Sequence, residues 1–169
     1  MATAAPARSL TIIWDDPMIA ASASRTMSGL DFLRVMLSGK LPPPPISVLI
    51  GQRAVSAEPG RVVFEITPAE QHYNPIGAVH GGVITTVLDS VMGCTVHSTL
   101  PAGIGYTTLE LKVNFLRAVT NRVGALRCEG KIINSGKRVA AVEASLTDAS
   151  GKLYAHATST CMIFAADGA

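Results

Sequence analysis

The chain has 169 residues, enough for one domain with a proper core and too few for two comfortable ones. Hydrophobic residues make up 48% and charged residues 15%, against about 25% charged in an ordinary soluble protein, which excludes disorder over most of the length. The formal net charge is +2, from 14 Lys+Arg against 12 Asp+Glu, with no basic run or stripe, so nucleic acid is not an expected partner.

Residues 1–14 are Ala-rich and read as a frayed tail. Two acids follow the short Leu10–Trp14 run, and no basic start precedes an apolar stretch, so a secretory signal is not expected. Asp15, Asp16 and Pro17 mark a helix start. Ile19, Ala23, Met27, Leu30, Leu33 and Leu37 then recur at three- and four-residue spacing, which predicts one amphipathic helix to about Ser38. Gly39 and Lys40 close it, and Pro42–Pro45 reads as a stiff extended connector. The chain therefore divides into residues 1–45 (tail, helix and connector) and a main domain over 46–166.

From Ile46 the pattern turns toward strands. Val62, Phe64 and Ile66 alternate with Arg61, Val63 and Glu65, after a turn at Glu58-Pro59-Gly60. Residues 71–77 form a polar loop. A helix from Val79 to about Leu100 follows, apolar nearly all round, with Asp89 its one acid. Four strands complete the chain, over 106–116, 123–133, 138–147 and 152–164, as an antiparallel meander with a hairpin signal at Asn134-Ser135-Gly136. In the first of them Leu109, Leu111, Val113 and Phe115 alternate with Thr108, Glu110, Lys112 and Asn114. The expected class is α+β. A long buried helix beside such a sheet predicts a hotdog arrangement, an antiparallel sheet of about five to six strands wrapped around the central helix 79–100, with an extra N-terminal helix. The alternative is a generic α+β sandwich.

No stretch approaches the roughly 18 unbroken apolar residues of a membrane span. Cys94, Cys128 and Cys161 are odd in number and scattered, fitting neither a disulfide framework nor a metal site. They suit a reducing cytoplasm as core or near-core residues, and neither metal nor cofactor is expected. So few charges on a small domain suggest that other subunits cover part of its surface. A homo-oligomer is expected.

The stretch that carries chemistry runs from Asn74 to Asp89. Gly81 and Gly82 open the helix, where first-turn N–H groups lack intrahelical partners and face a developing negative charge. The alternative is that the two glycines only let the helix end pack tightly. Asp89 has no Lys or Arg three or four residues away, so a local salt bridge is excluded. A threonine hydroxyl or a distant arginine is its structural alternative to a chemical role. Asn74 and His80 flank the glycines with polar groups, each compatible with a turn or a cap. His72 and His97 read as structural. Gly81 and Asp89 lie about 12 Å apart along one helix at ~1.5 Å per residue. One reacting carbonyl cannot easily meet both on one subunit, whereas two antiparallel copies would place Gly81 of one opposite Asp89 of the other.

The segment Asn74-Pro75-x-Gly77-x-Val79-His80-Gly81-Gly82, then Leu88-Asp89, then Thr107 to Arg117, resembles the phenylacetate-degradation (PaaI-type) branch of hotdog-fold acyl-CoA thioesterases. The likeness covers about residues 46–164. It implies an enzyme that hydrolyses acyl-CoA to a carboxylate and free CoA, working as a homotetramer or as dimers. It implies Asp89 as nucleophile or general base, and the Gly81 N–H, with His80 beside it, polarising the thioester carbonyl. Asn74 would position water or thioester, and Gly82 and Thr107 would touch the substrate. A hydroxyl at the start of the next strand would assist the carboxylate; counting back without gaps from Asn114-Phe115-Leu116 favours Thr108 over Thr107. Ala118 stands where the family usually has proline. Two competing readings share the fold. An enoyl-thioester hydratase would pair the helix Asp with a histidine five residues on, where this chain has Cys94. A non-catalytic acyl-CoA-binding module would lose the acid, which Asp89 retains. Neither a Ser-His-Asp order nor a G-x-S-x-G turn is present, against a serine-hydrolase mechanism.

Overall fold

Aspartates, prolines and serines set the first helices of the computed structural model, which describes residues 7–166. Part of the expected frayed tail, residues 1–6, lies outside the described residues, and 7–16 form no helix or strand. Helix α1 (Pro17–Thr26) starts where Asp16 accepts the Met18 N–H and Pro17 takes the first turn. The single helix expected over 15–38 is two. Ser28 caps a second helix, α2 (Gly29–Leu37), by accepting the Asp31 N–H while its hydroxyl donates to the Asp31 carboxylate. The break is dictated by packing: a Cβ at Gly29 would stand 1.8 Å from the His97 carbonyl oxygen, and the Gly29 N–H donates to Leu100.

The proline connector is also shorter than expected. Pro45 starts a third helix, α3 (Pro45–Ile50), so the Ile46–Ile50 segment is helical and not extended. Proline suits the first helical position, and Gly51 ends the helix in the left-handed region. Strands β1 (Gln52–Glu58) and β2 (Arg61–Ile66) follow, then a short 3-10 turn at Glu70–His72. The central helix α4 spans Gly81–His97, two to three residues shorter at each end than its apolar stretch. It is followed by β3 (Ile104–Phe115), β4 (Leu126–Ser135), β5 (Val139–Thr147) and β6 (Leu153–Ala165).

All six strands form one antiparallel sheet in the order β1-β2-β4-β5-β6-β3, the hotdog arrangement around α4. The last four strands are not a simple meander. Only β4-β5-β6 follow chain order, while β3 crosses to the far edge and pairs with β6. Val87, Leu88, Val91, Met92 and Val96 of α4 pack fully buried against Val62, Leu126, Cys128, Val142 and Ala157 of the sheet. The helix is not buried all round, however. Thr85, Thr86, Asp89, Ser90, Cys94 and His97 are half-buried, and Asp89 and His97 meet Thr108 and Tyr106 of the edge strand β3. That side carries the chemistry.

Candidate active site

The loop before α4 is folded by its own polar groups. Asn74 Oδ1 accepts the N–H groups of Ile76 and Ala78, both at 3.1 Å, and the Asn74 N–H donates to the Ala78 carbonyl. This Asx-type turn fixes the amide orientation, since both partners are N–H donors. The Asn74 side-chain oxygen therefore shapes the loop, and only its NH2 end is left to face outward. His72 is buried. Its Nδ1 accepts the Ala69 N–H, and its carbonyl accepts the His80 N–H. Burial pushes the His72 imidazole below its ordinary pKa, so the ring is held neutral.

His80 is the N-cap of α4. Its Nδ1 accepts the Gly82 N–H at 2.8 Å. An acceptor Nδ1 puts the ring proton of the neutral imidazole on Nε2, on an exposed ring. Capping thus takes the Gly82 N–H out of reach of a ligand. The Val83 and Ile84 N–H groups turn back to the His80 carbonyl. Among the described residues the Gly81 N–H meets no acceptor, so it is the open donor of this helix end. The Phe115 ring covers the glycine: a Cβ at Gly81 would stand 3.1 Å from Phe115 Cζ.

Two turns along, Asp89 accepts a hydrogen bond from Thr108 Oγ1 at 2.9 Å. A bulge in β3 makes this contact. Thr108 pairs with Cys161 and Glu110 with Thr160, so Leu109 is an extra residue. Before it, Tyr106 and Thr108 face α4; after it, Leu111 and Val113 do. The unbroken alternation expected from Leu109 to Phe115 fails for that reason, and Leu109 is 56% exposed. Thr107 is exposed on the opposite face of the strand, so the geometry brings Thr108 and not Thr107 to Asp89. Cys94 lies one turn beyond Asp89. Burial, aided by the nearby Asp89 charge, pushes its thiol up to about 12, so it is no base at neutral pH. The hydratase arrangement has no equivalent here.

Ser90, Cys94, His97 and Tyr106 line an open cavity of about 1310 Å³ whose other wall is formed by parts of α1, α2 and residues 39–54; neither Asp89 nor Thr108 is among its lining residues. Sequence reading did not single out Gln52, Ser90 or Tyr106 at this wall. The only signal was position, since Ser90 follows Asp89 and Tyr106 stands two before Thr108. Among the described residues no cluster of three His, Cys, Asp or Glu side chains is placed to hold a metal ion, and no helix is long and apolar enough to cross a membrane.

Residues 76–155 match the family profile described as the thioesterase superfamily. A Saccharolobus solfataricus protein, provisionally named as an esterase, is 35% identical over 105 residues, covering 62% of this chain and 73% of its own. Human acyl-coenzyme A thioesterase 13 is 29% identical over 108 residues, covering 63% of this chain and 75% of its own. Among solved structures, a phenylacetic acid degradation-related protein of Ralstonia eutropha superposes with a TM-score of 0.70 at 32% identity, covering 77% of this chain and 98% of its own. A Streptococcus mutans protein solved with acetyl-CoA bound superposes with a TM-score of 0.62 at 27% identity, covering 68% and 89%.

Proposed function

Because the chain belongs to the thioesterase superfamily, and is by that membership a thioester hydrolase, we propose that it hydrolyses acyl-CoA to a carboxylate and free CoA, with Asp89 as its nucleophile or general base. The observation that carries this reading is the Thr108 hydroxyl donating to the Asp89 carboxylate on the open side of α4. That bond occupies one carboxylate oxygen and fixes the rotamer, leaving the other oxygen for a reacting group. The acyl-CoA thioesterase relatives and the acetyl-CoA-bound neighbour support the substrate class.

The reaction needs an oxyanion donor and a group to bring oxygen to the carbonyl carbon. In the proposed site the open Gly81 N–H takes the developing oxyanion. The neighbouring His80 Nε2–H is a second donor to the thioester. Asn74 acts through the loop it folds and through its NH2 end. As general base, Asp89 takes a proton from water as the water oxygen attacks; the C–S bond then breaks and the proton passes to the CoA sulfur. As nucleophile, Asp89 displaces the thiolate itself, and water hydrolyses the resulting anhydride. A carboxylate is a weak base, so positioning by Thr108 supplies much of the rate in either route.

Gly81 and Asp89 are eight residues apart on a straight helix, about 12 Å at ~1.5 Å rise. The proposed site therefore joins Gly81 of one subunit to Asp89 of a second, in a homodimer or a dimer of dimers. The test is incubation of the purified protein with a panel of acyl-CoAs and a thiol reagent. Thiol release that disappears in Asp89→Asn is the expected result. Binding without release, or loss of enoyl absorbance without thiol, overturns it.

A further inference from the structure

Gly93 is the one glycine of α4 beyond its first turn. Inside a helix glycine is disfavoured relative to alanine, so its presence there needs a local reason. The reason is a ring. A Cβ at Gly93 would stand 2.8 Å from Tyr106 Cε2, 2.9 Å from its Oη and 3.2 Å from its Cζ. These distances are well inside the roughly 3.5–4.0 Å of packed carbon atoms. The Tyr106 ring of β3 therefore rests directly on the α4 backbone.

This contact neighbours the Asp89–Thr108 hydrogen bond on both elements. Gly93 is one turn after Asp89 on α4, and Tyr106 is two residues before Thr108 on the face of β3 turned to the helix. Helix and strand thus touch at consecutive points, ring on glycine and then hydroxyl on carboxylate. At the other end of the helix the Phe115 ring on Gly81 repeats the first kind of contact. The bulge at Leu109 breaks the register just after Thr108, so Tyr106 is the nearest residue facing α4 that shares Thr108's unbroken pairing with β6. The ring is braced from a second side. Its centroid is 5.4 Å from that of His97, which is 5.5 Å from that of Phe32 in α2. Burial pushes the Tyr106 phenol well above its ordinary pKa, so the side chain brings no charge to the site.

Building on the thioesterase reading, we propose that Tyr106, seated on Gly93, is a positioning residue: its ring sets the spacing between α4 and β3 at which the Thr108 hydroxyl reaches Asp89. An O–H···O bond spans about 2.5–3.0 Å, and this one is 2.9 Å, so a small widening of the gap takes it out of range. Alanine at 93 is enough to do so. Its methyl group drives the ring off the helix, and then either β3 follows the ring outward or the spacer is gone. Tyr106 acts by the size of its ring and touches no reacting atom.

The experiment is a double-mutant cycle between Gly93→Ala and Thr108→Val, read as thiol release from an acyl-CoA that the wild-type chain hydrolyses. In the wild-type chain Gly93→Ala is expected to lower kcat about tenfold with KM nearly unchanged, the loss of one hydrogen bond to a carboxylate. In Thr108→Val, where that bond is already gone, it is expected to lower kcat by less than about twofold. Helix propensity favours alanine, so it does not account for a loss. Losses that multiply in the double variant overturn the inference, and so does wild-type kcat in Gly93→Ala. The conservative variant Tyr106→Phe keeps the ring and is expected to keep kcat. A loss of about tenfold there assigns the role to the hydroxyl and overturns the spacer. Should Gly93→Ala fail to fold, Tyr106→Leu, which removes the ring, takes its place in the same cycle with the same expected and overturning results. Thiol release with multiplying losses removes only this inference. Absence of thiol release from every CoA ester tried with the wild-type chain removes the thioesterase reading and this inference with it.

Discussion

Thr108→Val replaces the hydroxyl that holds Asp89 by a methyl group of almost the same shape. The residue stays β-branched, suits a strand, and leaves the Leu109 bulge as it is. What is lost is one hydrogen bond of 2.9 Å to a carboxylate. Such bonds to charged groups contribute about 1.5–3 kcal/mol. If the bond serves to aim Asp89 at the reacting carbonyl, the loss falls on the transition state. At about 1.4 kcal/mol per decade, kcat/KM then drops roughly 10- to 100-fold. Thr108→Ser restores the donor and most of the rate. The assay is thiol release from acyl-CoA, measured beside the melting temperature. A purely structural bond predicts the opposite split, with a lower melting temperature and unchanged turnover per folded molecule. A well-folded Thr108→Val protein with wild-type kcat/KM would falsify the positioning argument.

Asp89→Asn keeps a side chain that can accept from Thr108, so the fold should hold while kcat falls by about 10²–10⁴-fold; wild-type turnover in a thiol-release assay counts against the carboxylate's role. Gly81→Val should push the half-exposed Phe115 ring aside and block the N–H, losing about 10²-fold in rate without a matching fall in melting temperature. Loss of both together would assign the glycine to packing alone. Mixing Asp89→Asn with Gly81→Val subunits should restore about a quarter of the sites, since half of randomly mixed dimers are heterodimers and each carries one intact pair. No recovery after exchange speaks against the shared site. On the outside of β2 and β4, the Arg61 fork, aided by Lys131, holds the Glu129 carboxyl down to about 2. Its contribution is present above the unfolded value of about 4.3 and is lost as pH falls toward 2. Glu129→Gln should therefore cost about 1 kcal/mol near neutrality, after screening, and nothing at the acid end, as urea midpoints at the two pH values would reveal.

Much of this was legible because one physical rule dominated each element. The apolar run before Pro101 read as a central helix, and the alternation in β2 with the hairpin signal at Asn134-Ser135-Gly136 read as sheet. Asp89 stood out because no base lay on its own helix face. Two things were hidden for definite reasons. Leu109 continues a perfect apolar alternation, so nothing in its side chain announces the bulge that turns Thr108 inward; counting back from the downstream motif favoured Thr108, and the register with β6 is what brings its hydroxyl to Asp89. The break between α1 and α2 was hidden because Met27 and Leu30 keep the helical spacing, while the cause, the His97 carbonyl against Gly29, comes from 68 residues further on. Gln52 is a third case. Its buried, unpaired Oε1 arises where Ser47, Ser90 and the start of β1 pack together, and no local pattern encodes that meeting.

The proposed second copy answers several open features of the single chain at once. The Gly81 N–H has no acceptor within the described chain, and Asp89 has no oxyanion donor within reach along its own helix. Between them runs β3, a 12-residue strand at the sheet edge, carrying Thr108 and exposing Leu109 and Phe115. A long exposed edge strand is a liability unless something covers it. Phe115 also ties the edge to the helix start, since its ring covers Gly81. A partner that covered this edge would therefore sit beside both halves of the site, and the same contact would hide Leu109 and Phe115 and complete the oxyanion geometry. On this argument a monomeric variant should lose catalysis before it loses its fold.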